Sequence, residues 1–204
     1  MYPLNINMEG KECVIIGGGK IAYRKTSSLI SEGAMVTIIS PEVCPEIENL
    51  AIEGKIKRKK RYPLEDDFKN AFYVIAATND EQINAEITTK LEKTKLVLNA
   101  SSVDKGNCHV PASFKKGKLL LTVSTSGASP MLAKKIRDQW SAVYDDNFGK
   151  YVDFLYEARG KIKQLNIPSA RKKHLLQEII DEKYIDSMEN RQFFLAVLKT
   201  FNSC

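Results

Sequence analysis

The sequence predicts an α/β fold with a parallel sheet, followed by a smaller region that is mainly helical. Over the first hundred residues, short apolar runs that end at glycine or polar residues alternate with amphipathic stretches of helical periodicity. Strands that alternate with helices form parallel sheets with right-handed crossovers. From about residue 130 onward the apolar spacing is helical throughout. Hydrophobic residues make up 43% of the 204-residue chain, which is typical of a globular protein with a real core.

The individual elements follow from β-branched runs, helical spacing and glycine stops. The predicted strands span residues 12–16, 35–39, 55–61, 72–77, 95–99 and 118–125. The predicted helices of the first part span residues 20–33, 45–54 and 80–93, and four more follow residue 130. Residues 100–117 are polar and are predicted to be a loop. Ser129 followed by Pro130 predicts a helix start, because a hydroxyl cap precedes a proline at the first helical position.

A glycine-rich corner separates the first predicted strand from the first predicted helix. Gly17, Gly19 and Ala22 form the pattern G-x-G-x-x-A. In a dinucleotide-binding fold the first glycine makes the tight turn and the second admits the pyrophosphate. The small third residue lets helix and strand pack closely, and the helix N-terminus attracts the phosphates. The pattern therefore predicts a bound dinucleotide, the alternative being a tight turn with a purely structural role.

The predicted tips of the second and fourth strands supply further cofactor contacts. Ser40, Pro41 and Glu42 follow the second strand, where an acid often binds the ribose hydroxyls. The tip itself carries no arginine for a 2′-phosphate, which favours NAD over NADP. Thr78 and Asn79 follow the fourth strand at its carboxyl end and are predicted to line the cofactor site. A helix cap is the alternative role of this Asn-Asp segment, and both roles are compatible.

The loop over residues 99–114 carries the candidate chemistry. Asp104 is a carboxylate that can take a proton while a hydride leaves to a nicotinamide. Its alternative role is that of a turn former in the segment Val-Asp-Lys-Gly. His109 is one of two histidines in the chain, and a structural role is the alternative for it. The sequence contains no His/Cys pattern with metal-ligand spacing, so no dedicated metal site is predicted.

The charge balance favours an anionic partner. The chain has 31 Lys and Arg against 25 Asp and Glu, a net charge of +6. Six of these cations lie within residues 55–61, where a solvated strand edge is the alternative explanation. The segment 124–130 is a hydroxyl-rich turn at a predicted helix start, which suits a carboxylate and also caps the helix.

The remaining features bear on the cellular compartment. The four cysteines are scattered, which predicts no disulfide framework and favours a reducing cytoplasm. We see no signal peptide and no apolar run long enough to span a membrane.

Five segments taken in order resemble the precorrin-2 dehydrogenase family of siroheme biosynthesis. They are CVIIGGGKIAYRK, EGAMVTIISPE, YVIAATNDEQIN, LVLNASSVD and LTVSTSGASPMLAKKIRD. The resemblance covers about residues 1–145. It implies an enzyme that uses NAD to oxidise precorrin-2, a tetrapyrrole with eight carboxylates, to sirohydrochlorin. The long methyltransferase domain of the fused siroheme synthases is absent from this sequence.

The resemblance also implies an architecture. An NAD-binding Rossmann domain is expected over residues 1–113, a dimerisation region over 114–146 and a helical domain over 147–204. The expected assembly is a homodimer, and no contact with nucleic acid or membrane is expected. The net positive charge and the cluster at 55–61 then have a physical purpose, because they attract a polyanionic substrate.

The family's functional residues are carried over onto matching positions. The cofactor contacts are expected around the pyrophosphate and near the adenosine ribose, at Gly17, Gly19, Lys20, Ile21, Ala22, Ser40, Pro41 and Glu42. The family's catalytic aspartate follows the fifth strand in an Asn-x-x-Asp pattern. This sequence departs from the pattern, since Ser102 stands three residues after Asn99, and the role is carried onto Asp104. Ser124, His109 and Ser129 are expected to line the substrate site.

Two alternative functions are also compatible with parts of the sequence. A bifunctional dehydrogenase and ferrochelatase would use the same tetrapyrrole pocket, so the sequence separates the two poorly. A nucleotide-sensing regulator that binds nucleic acid would need a recognition helix with base-reading side chains. The helical segment 170–182 has cations only near its start and shows no helix-turn-helix signature.

Overall fold

The chain folds into two compact units, which are described separately. In the computed structural model, residues 1–102 and 104–201 are described. The first unit spans Met1–Val110 and the second spans Pro111–Cys204. The finer division of the chain into domains of residues 1–113, 114–146 and 147–204 stays a prediction. No helix among the described residues is both long enough and apolar enough to span a bilayer.

A five-stranded sheet, parallel throughout, forms the centre of the first unit. Its strand order is β3-β2-β1-β4-β5. The strands are β1 Glu12–Ile16, β2 Met35–Ile39, β3 Lys57–Lys59, β4 Tyr73–Ala76 and β5 Leu96–Asn99. The helices are α1 Lys20–Ser31, α2 Pro45–Ile52 and α3 Glu81–Leu91, and a 3-10 turn spans Glu65–Phe68. The predicted α/β class and the predicted strands of this part are confirmed.

The central strands of the sheet are buried on both faces because β1, β2, β4 and β5 are mainly apolar, whereas the edge strand β3 is basic. Along β1, Cys13 and Ile15 pack into one hydrophobic cluster, while Val14 and Ile16 pack into another on the opposite face. This alternation follows from the two-residue period of a strand. A parallel sheet covered on both sides needs such continuous apolar strands.

The strand register brings four loops to one edge of this sheet. Ile16 at the end of β1 pairs with Ile39 of β2 and with Ala76 of β4, and Ala76 pairs with Asn99 of β5. The carboxyl ends of β1, β2, β4 and β5 therefore align. In open α/β sheets this is the edge where ligands bind.

The second unit begins with a hairpin and continues with four helices. The hairpin pairs β6 Ala112–Lys116 with β7 Leu119–Val123 in antiparallel register. The helices are α4 Pro130–Val143, α5 Asp146–Gln164, α6 Ser169–Glu178 and α7 Met188–Thr200. The prediction of a loop over 100–117 is wrong at residues 112–116. In β6 no residue is fully buried, so the strand lacks the apolar run that marks a buried strand.

The helical part of the second unit is organised around stacked aromatic rings. Phe154 stacks on Tyr184 with ring centroids 5.4 Å apart, and Phe194 packs edge-on against both rings. Arg191 is also buried there, and its guanidinium donates to the Asn147 side chain at 3.0 Å. Aromatic area of this kind supplies much of the burial energy of a small helical core.

Candidate cofactor site

A cleft of about 720 Å³ opens at the aligned carboxyl edge of the sheet in the first unit. It is bordered by the loops that follow β1, β2 and β4 and by the chain that follows β3. Its lining residues are Ile16, Gly17, Gly18, Gly19, Lys20, Ile39, Ser40, Pro41, Glu42, Val43, Cys44, Tyr62, Pro63, Ala77, Thr78, Asn79, Asp80 and Ile83. Its volume and its mixed apolar and polar lining are typical of small-molecule sites.

Two of the three glycines are needed because the backbone passes too close for a side chain. Gly17 has a φ of 118°, and a Cβ there would overlap the carbonyl oxygen of Ala77. At Gly18 a Cβ would overlap the carbonyl oxygen of Glu42. The Gly18 carbonyl also accepts a hydrogen bond from the Cys44 N–H at 2.7 Å. These glycines hold the loops after β1, β2 and β4 against one another.

Gly19 has a different purpose from its two neighbours. It is the N-cap of α1 with a φ of −85°, and a Cβ there would meet nothing within 4 Å. No side chain caps this helix, and its first turn carries no acid. The free N–H groups of a helix start and its positive dipole end bind phosphate. Gly19 therefore leaves an open approach to an anion-binding helix terminus.

The other two helices that begin at the cleft are less suited to an anion. Asp80 caps α3, and its carboxylate accepts from the N–H groups of Gln82 and Ile83 at 2.8 and 3.1 Å. The first turn of α2 carries Glu46 and Glu48. Carboxylates already lie at the N-termini of α2 and α3, so the N-terminus of α1 is the one that best fits a pyrophosphate.

The loop at the end of β2 is held in shape from two sides. The Ser40 hydroxyl donates to the Glu42 carbonyl at 2.6 Å, which closes a short turn. Arg58 on β3 forms an ion pair with Glu48 and donates to the Pro41 carbonyl at 3.3 Å. The predicted ribose corner at residues 40–42 thus lies in the cleft, with the Ser40 hydroxyl engaged within its own turn.

Asn84 fixes the loop that follows β4. Its side chain is fully buried on α3, and its amide oxygen accepts from the N–H and the hydroxyl of Thr78 at 3.0 and 2.8 Å. Its amide nitrogen donates to the Thr78 carbonyl at 3.0 Å and to the Ser101 hydroxyl at 3.2 Å. One side chain therefore ties together the loops after β4 and β5.

The predicted cofactor residues divide into lining and supporting positions. Eight of them border the cleft: Gly17, Gly19, Lys20, Ser40, Pro41, Glu42, Thr78 and Asn79. Ala22 is fully buried where α1 packs on the sheet, as the third position of the motif predicts. Ile21 is 47% exposed and does not border this cleft. Direct contact of any of these residues with a cofactor stays a prediction.

Asp104 lies in a turn at the same edge of the sheet. After β5 the chain folds back, and Gly106 forms an isolated antiparallel bridge with Leu98. The Asn99 side chain shapes the start of this turn by accepting from the backbone of Ser101 and Ser102 at 3.0 and 3.1 Å. Asp104 is solvent-exposed between these two anchors, and Val103 lies outside the described residues.

His109 follows a chain segment that runs back along β5. Asn107 accepts from the Val97 N–H at 2.8 Å and donates to the Lys95 carbonyl at 2.6 Å, near the amino end of the strand. Cys108 packs against the core cluster that contains Tyr73, the first residue of β4. The backbone thus leads His109 away from the turn that carries Asp104, and its role as a lining residue stays a prediction.

The two predicted hydroxyls belong to the second unit. Ser129 caps α4 and accepts from the Leu132 N–H at 3.2 Å, so the predicted helix start is confirmed. The Ser124 hydroxyl accepts from the Ser126 N–H at 3.2 Å, and Ser126 has a φ of 50°. The segment 124–130 is a tight turn that ends in a helix N-terminus, as the sequence predicts.

The basic segment at residues 55–61 is largely compensated by acids. Lys55 pairs with Glu53 on the surface. Lys59 and Arg61 both pair with Asp67. Arg58 pairs with Glu48, so four of the six cations have an acidic partner. The segment is an edge strand that contributes less free positive charge than the sequence suggests.

Sequence reasoning missed Gly18 and Asn84. Gly18 occupies a variable position of the glycine motif, so the pattern gives it no role. Asn84 is a single polar residue inside a predicted amphipathic helix. Asparagine is a poor helix former, and this was the one local signal that its side chain serves another purpose.

Comparison with known proteins matches two parts of the chain to family models. Residues 4–112 match a family model described as "Putative NAD(P)-binding". Residues 148–194 match a model described as the "SirC C-terminal domain". A solved structure titled "SirC, precorrin-2 dehydrogenase" is 38% identical, with a TM-score of 0.86 over 98% of this chain and 100% of that one.

Two curated relatives that the chain covers almost completely carry one name. The "Precorrin-2 dehydrogenase" of Priestia megaterium is 37% identical over 98% of this chain and 100% of the relative. That of Bacillus subtilis (strain 168) is 42% identical over 79% of this chain and 99% of the relative. The "Siroheme synthase" of Acinetobacter baylyi is 32% identical, but the chain covers only 38% of its length.

Proposed function

The chain belongs to the precorrin-2 dehydrogenase family, and we propose that it uses NAD to oxidise precorrin-2 to sirohydrochlorin in siroheme synthesis. It is an oxidoreductase with a nicotinamide cofactor. The observation that carries the proposal is the uncapped start of α1 at the glycine turn, placed in a cleft at the carboxyl edge of the sheet. The relatives that the chain spans almost completely are named as dehydrogenases, so the added ferrochelatase activity is not favoured.

The cleft suits a dinucleotide at three positions. The free N–H groups that follow Gly19 would hold the pyrophosphate, with the Lys20 side chain beside them. The corner formed by Ser40 and Glu42 would bind the adenosine ribose, and the carboxylate of Glu42 favours hydroxyls over a phosphate there. The loop at Thr78 would border the part of the cofactor that lies beyond the pyrophosphate.

Oxidation of the macrocycle removes one hydride and one proton. The bound nicotinamide supplies the hydride acceptor. We propose that the Asp104 carboxylate accepts the proton, since Asp104 is exposed in the turn after β5, at the carboxyl edge of the sheet. Ser124, Ser129 and His109 would bind or orient the carboxylates of the tetrapyrrole substrate. The net charge of +6 favours the approach of such a polyanion.

The beginning of the second unit supports a homodimer. Helix α4 buries only Ala133, while Met131 and Val143 are 84% and 69% exposed. The β6–β7 hairpin has no fully buried residue. A two-stranded hairpin with a largely unburied helix is marginal by itself, and a second copy would cover it. We propose that residues 114–146 form the dimerisation region, between an NAD-binding domain at 1–113 and a helical domain at 147–204, in a cytoplasmic enzyme.

An anaerobic assay tests the proposed reaction. Precorrin-2 is generated in place, NAD is supplied and sirohydrochlorin is followed by absorbance. We expect sirohydrochlorin to form only with both enzyme and NAD, and ferrous ion to be inserted no faster than in the enzyme-free control. Enzyme-accelerated insertion would establish the bifunctional alternative, and the absence of NAD-dependent turnover would refute the proposal.

The Asp104→Asn variant tests the assigned proton acceptor. We expect a loss of at least tenfold in kcat, about 1.4 kcal/mol of transition-state stabilisation, with unchanged NAD affinity and melting temperature. Wild-type kcat in this variant would remove Asp104 from the mechanism.

A further inference from the structure

The end of the basic segment lies at the ribose corner of the cleft. The carbonyl oxygen of Lys59 accepts from the Ser40 N–H at 3.1 Å and from the Arg61 N–H at 2.9 Å. The backbones of Ser40 and Arg61 are therefore neighbours. Tyr62 and Pro63, which follow Arg61 directly, border the cleft. The side chain of Arg61 thus starts beside the corner where a dinucleotide places its adenosine ribose.

Asp67 pairs with two cations whose backbone lies beside this corner, while Arg58, which reaches the Pro41 carbonyl, pairs with Glu48. Arg61 donates to its two carboxylate oxygens at 2.7 and 2.8 Å, in a bidentate pair. Lys59 donates to the same carboxylate at 2.7 Å, and the Leu64 N–H donates at 2.8 Å. The Asp67 side chain is only 3% exposed, whereas its partners are about 40% exposed.

The hydrogen-bond partners of Asp67 determine its protonation state. The hydrogen bond from Arg61, together with Lys59 and the Leu64 N–H, holds the pKa of Asp67 well below its usual range. These partners therefore favour the ionised form of the carboxylate. Arginine binds a phosphate with the same bidentate geometry that it uses to bind a carboxylate. Arg61 therefore cannot bind a phosphate in this way while it is paired with Asp67.

NAD and NADP differ only by a phosphate on the adenosine 2′-oxygen. A binding site accepts this phosphate when a free cation, usually arginine, lies near the ribose. This chain has cations beside that corner, but Asp67 engages Arg61 and Lys59, and Glu48 engages Arg58. We propose that Asp67 is a specificity-determining residue, which excludes NADP by holding Arg61 and Lys59 in ion pairs beside the ribose corner. The inference rests on the proposed function, since it concerns how that cofactor site selects its dinucleotide.

The Asp67→Asn variant tests the proposal, and Asp66→Asn is the matched control. Asp66 lies in the same 3-10 turn, its side chain is 93% exposed, and it forms an ion pair with Lys69 at 4.0 Å. Both variants remove one negative charge at neighbouring positions, but only D67N releases Arg61. We expect kcat/KM for NADP to rise about tenfold or more in D67N and to stay within about twofold in D66N. Kinetics with NAD should change little in either variant.

Removing the released cation should reverse the gain. In the double variant Asp67→Asn, Arg61→Ala, we expect the preference for NADP to return to within about threefold of the wild type. A folded D67N variant with no gain for NADP, or an equal gain in D66N, would overturn the proposal. A gain that survives in the double variant, and also after Lys59→Ala is added to it, would overturn the proposal as well.

A binding measurement on the unmodified protein keeps the proposal testable if D67N does not fold. Titration calorimetry compares 5′-AMP with 2′,5′-ADP, which differ by the 2′-phosphate alone. We expect the Kd of 2′,5′-ADP to be higher than that of 5′-AMP by about tenfold or more. Equal or tighter binding of 2′,5′-ADP would overturn the inference while leaving the cofactor site itself intact. If neither nucleotide nor NAD binds, the proposed function fails as well.

Discussion

The cofactor cleft of the first unit and the aromatic core of the second unit are stabilised in opposite ways. In the cleft, Gly17 and Gly18 bring backbone against backbone, and a single added methyl group has no room. In the second unit, Phe154, Tyr184 and Phe194 fill space with large side chains. A site built from backbone groups tolerates almost no added volume, whereas a side-chain core is sensitive to volume removed.

The largest effect is expected for Gly17→Ala. The variant forces alanine to a φ of 118° and places its methyl group on the Ala77 carbonyl. We expect a loss of about 3 kcal/mol or more in the free energy of unfolding, measured in urea. NAD binding by calorimetry should become undetectable in any fraction that folds. A variant with wild-type stability would contradict the assignment of Gly17 to this close approach.

Asn84→Ala is the next largest perturbation of the cleft. The variant removes four hydrogen bonds that hold Thr78 and Ser101, and we expect a cost of about 2–3 kcal/mol with a tenfold weaker Kd for NAD. Asn107→Ala is the control, because Asn107 also tethers backbone groups but lies near the amino end of β5. It should lower stability without weakening NAD binding. Equal effects of both variants on the Kd would contradict a specific role for Asn84.

Gly19→Ala separates binding from folding at the same corner. The backbone of Gly19 suits any residue, and a methyl group there meets open space. We expect a loss of stability of no more than about 1 kcal/mol, since alanine is a poorer N-cap than glycine. NAD binding should become about tenfold weaker, because the methyl group occupies the approach to the helix terminus. If the affinity stays unchanged, the pyrophosphate does not pass over Gly19.

The smallest effect is expected at Gly160, a glycine of the second unit. It lies in the interior of α5, is exposed and has free space where a Cβ would be. Gly160→Ala should raise the free energy of unfolding by about 0.5–1 kcal/mol, since alanine favours the helix. Thermal unfolding measures this gain, and a loss of stability would contradict the open surroundings of this position.

The sequence predicted what depends on local pattern. The buried strands, the helix start at Ser129 and the glycine turn each have a signal within a few residues. The roles of Gly18 and Asn84 depend on which distant segments meet them, Glu42 in one case and Ser101 in the other. Long-range contacts of this kind leave no periodic pattern in one sequence.

The local sequence pattern predicted the ion pairing of the charged residues least well. The cluster at residues 55–61 suggested a free basic surface, but its main partner, Asp67, is fixed by tertiary packing. The strand β6 was missed for a related reason. Its lysines and half-buried positions resemble a loop until the hairpin pairs it with β7.

Protection of Cys44 from alkylation tests whether the cofactor lies in the cleft over the start of α1. Cys44 borders this cleft, and its N–H bonds to Gly18, whereas Cys108 is equally part-buried but outside it. A small maleimide is applied with and without saturating NAD, and each cysteine is followed by peptide mass spectrometry. We predict that NAD slows alkylation of Cys44 by about tenfold or more and leaves the alkylation rate of Cys108 unchanged. An unchanged rate at Cys44, or equal slowing at both cysteines, would contradict this prediction.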